Sequence, residues 1–418
     1  MSRLADLIEE LCPDGVEYRA LGELGSFFGG LSGKSKSDFV ENRDARPFVT
    51  YKEVYSSLEI EQCPQGRVLV QPHEKHLILQ RGDVLFTGSS ENIDEVGLTA
   101  VVTAEFSEPV YLNSFSLCLR WCAVTFEPEY AKYLFHSPAV RRQIRRCASG
   151  VTRFNLSRKR LQDVRIPVPP LEVQREIVRI LDQFTTLEAE LEAELTIRRR
   201  QHSFYRNELL ARESLQKRVE LLEYKTLGDL FDTRNGYTPS KQDRAAWDRD
   251  DVPWFRMEDI RENGGILESA LISISNSAVK AGRVFPANSI LVATTATIGA
   301  HALVTVEHLS NQQFTSLQPK ECARGLFDPY FLYYYCFLLD EYCLHHANVS
   351  SFASVDMRAF RAFEFPILPL DVQREIASIL DQFTGLEKEL EAEIEARRAQ
   401  CTYYRDCLLS FPEKKAES

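Results

Sequence analysis

The sequence predicts an α+β chain made by tandem duplication, with two mixed α/β domains and two long helices that pair with each other. Three observations predict it. Residues 166–210 (IPVPPLEVQREIVRILDQFTTLEAELEAELTIRRRQHSFYRNELL) recur without a gap as residues 365–409, and 28 of the 45 positions are identical. Within each copy, apolar residues recur at alternating steps of four and three, the period of a coiled-coil seam. The segments ahead of the copies also correspond. EYRALGEL at 17–24 returns as EYKTLGDL at 223–230, and PFVTYKEV at 47–54 returns as PWFRMEDI at 253–260.

Taken in order, residues 1–16 predict a short amphipathic helix with Leu4, Leu7, Ile8 and Leu11 on one side, stopped by Pro13, Asp14 and Gly15. Residues 17–165 form the first mixed domain. Its short apolar runs, Asp83–Thr87, Leu98–Thr103 and Phe115–Trp121, read as strands. Phe126–Cys147 reads as a helix broken near Pro138. Residues 166–222 hold the first long helix and a linker. Prolines open it, acidic residues follow at the positive end of the helix dipole, and its interior has no proline. Its seam is Val173, Ile177, Ile180, Phe184, Leu187 and Leu191. The next seam position is Glu194, unless Leu195 takes over through a shift. Glu194 to Arg198 is an i,i+4 pair in the favourable order.

The second domain, residues 223–364, follows the same plan, with strands near Ser289–Ala293, Ala302–Val306 and Phe314–Leu317 and a helix over 327–339. Residues 365–410 form the second long helix, with seam Val372, Ile376, Ile379, Phe383, Leu386 and Leu390 and the same Glu393 or Ile394 alternative. Thr185-Thr186 and Thr384-Gly385 place weak helix formers in the middle, and Gly385 could permit a bend. Residues 411–418 are a tail. The helices stayed alike while the domains diverged, which is the pattern of one job done twice beside two related jobs on different targets.

Composition bounds the function. The 418 residues carry a net charge of −11, which argues against a purely electrostatic nucleic-acid binder. No apolar run reaches membrane length, and no charged-then-apolar export segment opens the sequence. The ten cysteines include Cys118 and Cys122 in CxxxC but no CxxC, so the expectation is reduced thiols in a cytoplasm. Phosphate-binding GxxxxGK[ST] and GxGxxG loops are missing from the sequence, as is the proline-flanked aromatic tetrapeptide of amino-methyltransferases. His73 and His76 are one residue too close for a zincin pair, and the adjacent His345 and His346 point to different helix faces. No catalytic residues and no metal ligands are expected.

Binding is better supported. Residues 141–165 contain nine Arg or Lys and one acid, Asp163, with Arg145, Thr152, Arg153, Asn155 and Arg158 as candidates for phosphate or base contact. Over 17–165 the balance is 20 basic to 18 acidic residues, and over 223–364 it is 13 to 18. The second domain would therefore read a ligand with a few placed groups. Polar loops at corresponding places supply them. In the first domain these are Lys34 and Lys36, Tyr51 and Lys52, and Thr87, Ser89 and Ser90. In the second they are Arg234, Asn235, Tyr237, Thr238, Ser240 and Lys241, then Arg256, then Thr294, Thr295 and Thr297, then Gln312 and Gln313, with Ser350 and Ser351 beyond. Amides suit adenine and guanidinium groups suit guanine or phosphate.

The duplicated PxPPLEVQREIVxILDQFTxLEAELEAELxxRRxQ helix (Pro167–Leu210 and Pro366–Leu409), the LCPDGVEYxxLGEL opening (Leu11–Leu24) and the GYTPSK loop (Gly236–Lys241) resemble the specificity subunit of Type I restriction-modification enzymes. The resemblance covers essentially the whole chain. It implies that each domain is a target-recognition domain reading one half of a bipartite site in double-stranded DNA. It implies that the helices pair antiparallel as an intramolecular coiled coil, with pseudo-two-fold symmetry, that holds the domains apart. Two modification subunits would supply S-adenosylmethionine binding and methylation. Two restriction subunits would add translocation and cleavage with ATP and Mg. Outward helix positions Arg175, Glu176, Arg374 and Glu375 would then receive the modification subunits. The chain itself would be non-catalytic, bind no cofactor and act in the cytoplasm. Two alternatives stay open: a scaffold presenting two protein-binding domains without DNA reading, and an enzyme whose site has no familiar motif.

Overall fold

The computed structural model describes residues 2–41, 44–123, 125–280, 283–348 and 353–414. Contacts divide the chain into two units: residues 1–192 with 392–418, and residues 193–391. Each long helix contributes its first half to one unit and its second half to the other, because both division points fall inside a helix.

Unit 1 is built on a five-stranded sheet. Its order is Gly25–Gly29, Ser116–Trp121, Val84–Thr87, Thr99–Val102 and Glu59–Ile60, antiparallel except for the last pair. The two strands Val84–Thr87 and Thr99–Val102 are buried along their whole length. Successive side chains on a strand point to opposite faces, so each strand feeds two cores. Val84, Phe86 and Val101 join Tyr130, Leu134 and the long helix. Leu85, Ala100 and Val102 join Val49, Val54 and Leu112. A three-stranded sheet, Arg67–Val68, Arg46–Val49 and Tyr111–Leu112, closes the second face. A two-stranded ribbon, Glu17–Ala20 with Arg165–Val168, leads into the helix.

Unit 2 repeats these pairings. Its five strands are Phe231–Asn235, Phe314–Pro319, Ser289–Ala293, His301–Val304 and Ile266–Leu267, again with only the last pair parallel. The three-stranded sheet is Ser273–Ile274, Val252–Phe255 and Leu309–Ser310, and the ribbon is Glu223–Thr226 with Glu364–Ile367. The expected break at Pro138 separates helices Pro128–Leu134 and Pro138–Arg146, whereas unit 2 has one helix, Pro329–His345. The short N-terminal helix is Ser2–Leu11; Leu4 reaches the core of unit 1, while Leu11 stays exposed because it lies in the last turn.

The long helices run Leu171–Leu210 and Leu370–Leu408 without interruption, and Gly385 introduces no break. Much of their shared sequence ties each helix to its own unit. The fully buried Gln174 amide donates to the carbonyls of Thr125 (2.9 Å) and Pro169 (2.8 Å) and accepts from the Glu127 N–H (2.9 Å). Gln373 does the same with Leu326, Leu368 and Asp328. About two turns on, the Tyr133 hydroxyl donates to Asp182 (2.6 Å) and lies 3.3 Å from the Thr185 hydroxyl. Tyr334 repeats this with Asp381 and Thr384. The threonines that are poor helix formers are thus partners of a buried tyrosine.

Further along, the two helices touch. In unit 1 Phe184 stacks on Tyr404 (5.3 Å), and Arg398 pairs with Glu188 (2.7 Å) and Glu192. In unit 2 Phe383 stacks on His202 (5.7 Å) and Tyr205 (5.4 Å), His202 meets Glu387 and Arg199 meets Glu391. Numbers rise on one helix as they fall on the other, so within each unit the segments run antiparallel. The expected seam needs correction. Val173, Ile177 and Ile180 are buried, but in the domain core beside Leu181, and Ile376 likewise beside Ala377 and Leu380. Val372, Ile379, Phe184, Leu187, Leu191, Phe383 and Leu390 are half-buried. Leu386 is 46% exposed and is not a seam residue. Leu195 and Ile394 are buried, whereas Glu194 and Glu393 are exposed.

Candidate nucleic-acid interface

Unit 1 carries an open cleft of about 480 Å³ between the helix Tyr51–Ser56 and the loops after Val84–Thr87 and before Ser116–Trp121. Thr50 caps that helix. Its hydroxyl accepts from Glu53 N–H, and the Glu53 carboxylate accepts from Thr50 N–H (2.7 Å). The cap fixes Tyr51, Lys52 and Tyr55 on the cleft wall. Across it lie Ser89, Ser90, Glu91, Glu95, Phe115 and Arg153. The Tyr51 hydroxyl donates to the Ser89 carbonyl (2.7 Å), and Arg153 donates to the Ser89 hydroxyl (3.1 Å). Lys52 and Arg153 remain exposed.

Unit 2 carries a cleft of about 510 Å³ between the loop after Phe231–Asn235 and the strand Val252–Phe255, lined by Thr238, Lys241, Arg244, Trp247, Asp248, Trp254 and Arg256. Two indoles pack edge to face 5.2 Å apart, and Arg256 lies 5.8 Å from the Trp254 ring. Their N–H groups are used internally, Trp254 to the Tyr237 carbonyl and Trp247 to the Ser240 carbonyl. What the cleft offers is therefore aromatic surface with cations around it.

The other expected residues divide sharply. Lys36, Thr152, Asn155 and Arg158 are exposed, as are Asn235, Ser240 and Lys241. Thr295, Thr297 and Gln313 are half-buried around the loop entering Phe314–Pro319, and Gln312 is exposed, its amide oxygen accepting from Thr238 (2.5 Å). Arg234 donates to the Arg283 carbonyl (2.9 Å) and Tyr237 to the Ala278 carbonyl, so both brace their loop. Ser350 and Ser351 lie outside the described residues.

Several expectations are corrected. Lys34 is withdrawn from solvent, its side chain 4% exposed and its ammonium 2.5 Å from Glu74. Thr87 and Thr294 are buried strand ends; Thr294 meets the Thr315 hydroxyl at 2.8 Å. Arg145 pairs with Asp94. Arg141, on the basic helix, is buried and donates to the carbonyls of Asp94, Val96 and Gly97, so it caps a loop instead of tracking phosphate. Burial, with Arg145 nearby, pushes its guanidinium down to about 10. Glu176 is 4% exposed, doubly bonded to Arg179 and near Arg3, so it does not belong to an outward face. Arg175, Arg374 and Glu375 are exposed, each paired with its own unit through Glu127, Asp328 and Arg218. Among the described residues no cluster of His, Cys, Asp and Glu could hold a metal ion, and no helix is long and apolar enough to cross a membrane.

Sequence reasoning missed Tyr55, Phe115, Arg244, Trp247 and Asp248. Aromatic residues read as core by default, and the aromatics here are distinguished only by the loops that hold them at a cleft.

The comparisons agree with this layout. A family model described as the Type I restriction modification DNA specificity domain matches residues 13–197 and again 220–396. The EcoprrI specificity subunit of Escherichia coli is 51% identical over 222 residues, covering 50% of this chain and 55% of the relative. The EcoR124I/EcoR124II specificity subunit of the same organism is 33% identical over 273 residues, covering 61% and 65%. The matches thus span between about half and two thirds of these relatives' lengths. A chain solved in a study of complex assembly and conformational transition of the type I R-M system superposes with a TM-score of 0.65 at 18% identity, covering 95% of this chain and 98% of that one. The HsdS subunit from Thermoanaerobacter tengcongensis superposes at 0.51 and 18%, covering 96% and 98%. At these identities the likeness concerns the fold.

Proposed function

Because the chain belongs to the Type I restriction-modification DNA specificity family, we propose that it is the sequence-reading subunit of such an enzyme, each unit reading one half of a bipartite DNA site. One observation carries the reading. Two units of the same sheet pairing each present an open cleft among their loops, built from different segments and lined by different side chains. One scaffold used twice with different linings is what two different half-sites require. Exposed cations beside each cleft, Lys52 and Arg153 or Lys241 and Arg244, would hold phosphates and fix register. Loop side chains would read base edges in the major groove.

The helices form, in this reading, an antiparallel coiled coil of tandemly duplicated origin that sets the gap between half-sites. Half-sites about one DNA turn apart, roughly 34 Å, are within reach of helices of this length. Two modification subunits would dock on the helices near Arg175, Arg374 and Glu375, and two restriction subunits would join them. S-adenosylmethionine, ATP and Mg would bind those partners, which would perform methylation and cleavage. Co-expression with the modification subunits, followed by genome-wide mapping of methylated adenines, tests the proposal. A bipartite motif is expected; no sequence-specific methylation would sink it.

A further inference from the structure

One position has the same backbone frame in both units and opposite side-chain chemistry. In unit 1 the Asn113 side-chain oxygen accepts from the Phe115 N–H (2.9 Å), the Gly88 N–H donates to the Phe115 carbonyl (2.8 Å), and the Asn113 N–H donates to the Val49 carbonyl (3.0 Å). In unit 2 the Asn311 side-chain oxygen accepts from the Gln313 N–H (3.1 Å), the Thr294 N–H donates to the Gln313 carbonyl (3.0 Å), and the Asn311 N–H donates to the Phe255 carbonyl (3.0 Å). Phe115 and Gln313 therefore occupy one slot, the last loop residue before the matching strands Ser116–Trp121 and Phe314–Pro319.

Phe115 is 61% exposed. A single exposed ring is ordinary on a protein surface, so exposure alone decides nothing. The frame adds what exposure lacks. Asn113 is buried and also donates its amide to the Val49 carbonyl and the Ser116 hydroxyl, so the turn is rigid. Gly88 lets the loop approach closely; a Cβ there would lie 2.5 Å from the Phe115 oxygen. The ring is thus held out at the lip of the cleft that Lys52, Tyr55 and Arg153 also line.

Resting on the DNA-reading role, we propose that Phe115 is a specificity-determining residue that contacts the 5-methyl group of a thymine in the half-site read by unit 1. The methyl group is the apolar feature of the major groove, and an apolar ring recognises it without hydrogen bonds. Gln313 puts an amide in the same slot of unit 2, chemistry that suits adenine.

The test uses the complex with its modification subunits and duplexes carrying the methylated motif, each thymine replaced in turn by deoxyuridine. One replacement should weaken wild-type binding roughly 4-fold, the worth of one buried methyl group. Phe115→Ala should bind the thymine and deoxyuridine duplexes equally, and Phe115→Leu should keep part of the preference. Indifference of the wild type to every replacement, or full discrimination retained by Phe115→Ala, would overturn the proposal. So would an equal loss by Phe115→Ala on both duplexes together with wild-type indifference, the mark of a ring wedged between bases. Failure of the underlying reading looks different: the wild-type complex would methylate no motif.

Discussion

His136 is half-buried and His308 is buried, one in each unit, and loss of solvation pushes both imidazoles down to about 4. The neighbouring Arg141 and Arg405 add to the effect at His136. His136 lies 2.8 Å from the Thr99 carbonyl and 3.1 Å from its hydroxyl. His308 donates to the Val306 carbonyl (2.8 Å) with the Phe255 and Phe285 rings on either side. A depressed histidine favours the neutral form in the folded state. Its stabilisation is complete above the unfolded value near 6.5 and is lost as pH falls from there through about 4. The loss is up to roughly 3 kcal/mol for each group. Urea midpoints at pH 7 and pH 5 should fall further for the wild type than for His308→Met, in which no imidazole charges up. Equal falls would show that His308 does not contribute. Nothing in the residue string marks either histidine as withdrawn from water, because that is a property of the packed sheets.

Glycines show how the same residue type means different things in different elements. Gly30 and Gly236 follow the first strand of each five-stranded sheet, where a Cβ would lie 1.8 Å from the Asn113 oxygen and 2.2 Å from the Asn311 oxygen. Alanine at either position should destabilise its unit by about 2 kcal/mol or more. Gly385 is the opposite case, exposed in mid-helix with nothing within 4 Å of a Cβ. Gly385→Ala should therefore raise stability by about 0.5–1 kcal/mol. Thermal melts of the three variants check both signs, and a stabilising Gly30→Ala would refute the close-approach argument. Most elements were legible in the sequence. The strands Val84–Thr87, Ser289–Ala293 and Phe314–Pro319 lie where apolar runs placed them, and Pro138 breaks its helix as expected. The seam was legible only in part. A three-four period marks an apolar stripe but not what covers it, and the first turns of both stripes are covered by the domains.

At the scale of the whole molecule the repeat has two jobs in one helix. Gln174, Asp182 and Thr185 and their counterparts Gln373, Asp381 and Thr384 latch the helix to its unit, and the residues beyond bring helix to helix. In the proposed reading the spacer role belongs to the second part. Inserting four residues near Leu191 should change the gap between half-sites in the methylation motif and leave both half-sites unchanged. An unchanged gap would mean that the helices do not set it. By itself the sequence determined the repeated segments and the long helices, because these rest on local periodicity and on identity between halves of one chain. Only the tertiary structure decided which polar residues remain available. Lys34, Arg141 and Glu176 have the composition of an interface and are spent on internal partners, whereas Phe115 and Trp247 have the composition of a core and stand at a cleft. Availability depends on which groups distant strands and loops bring within hydrogen-bonding distance, and no local pattern encodes that.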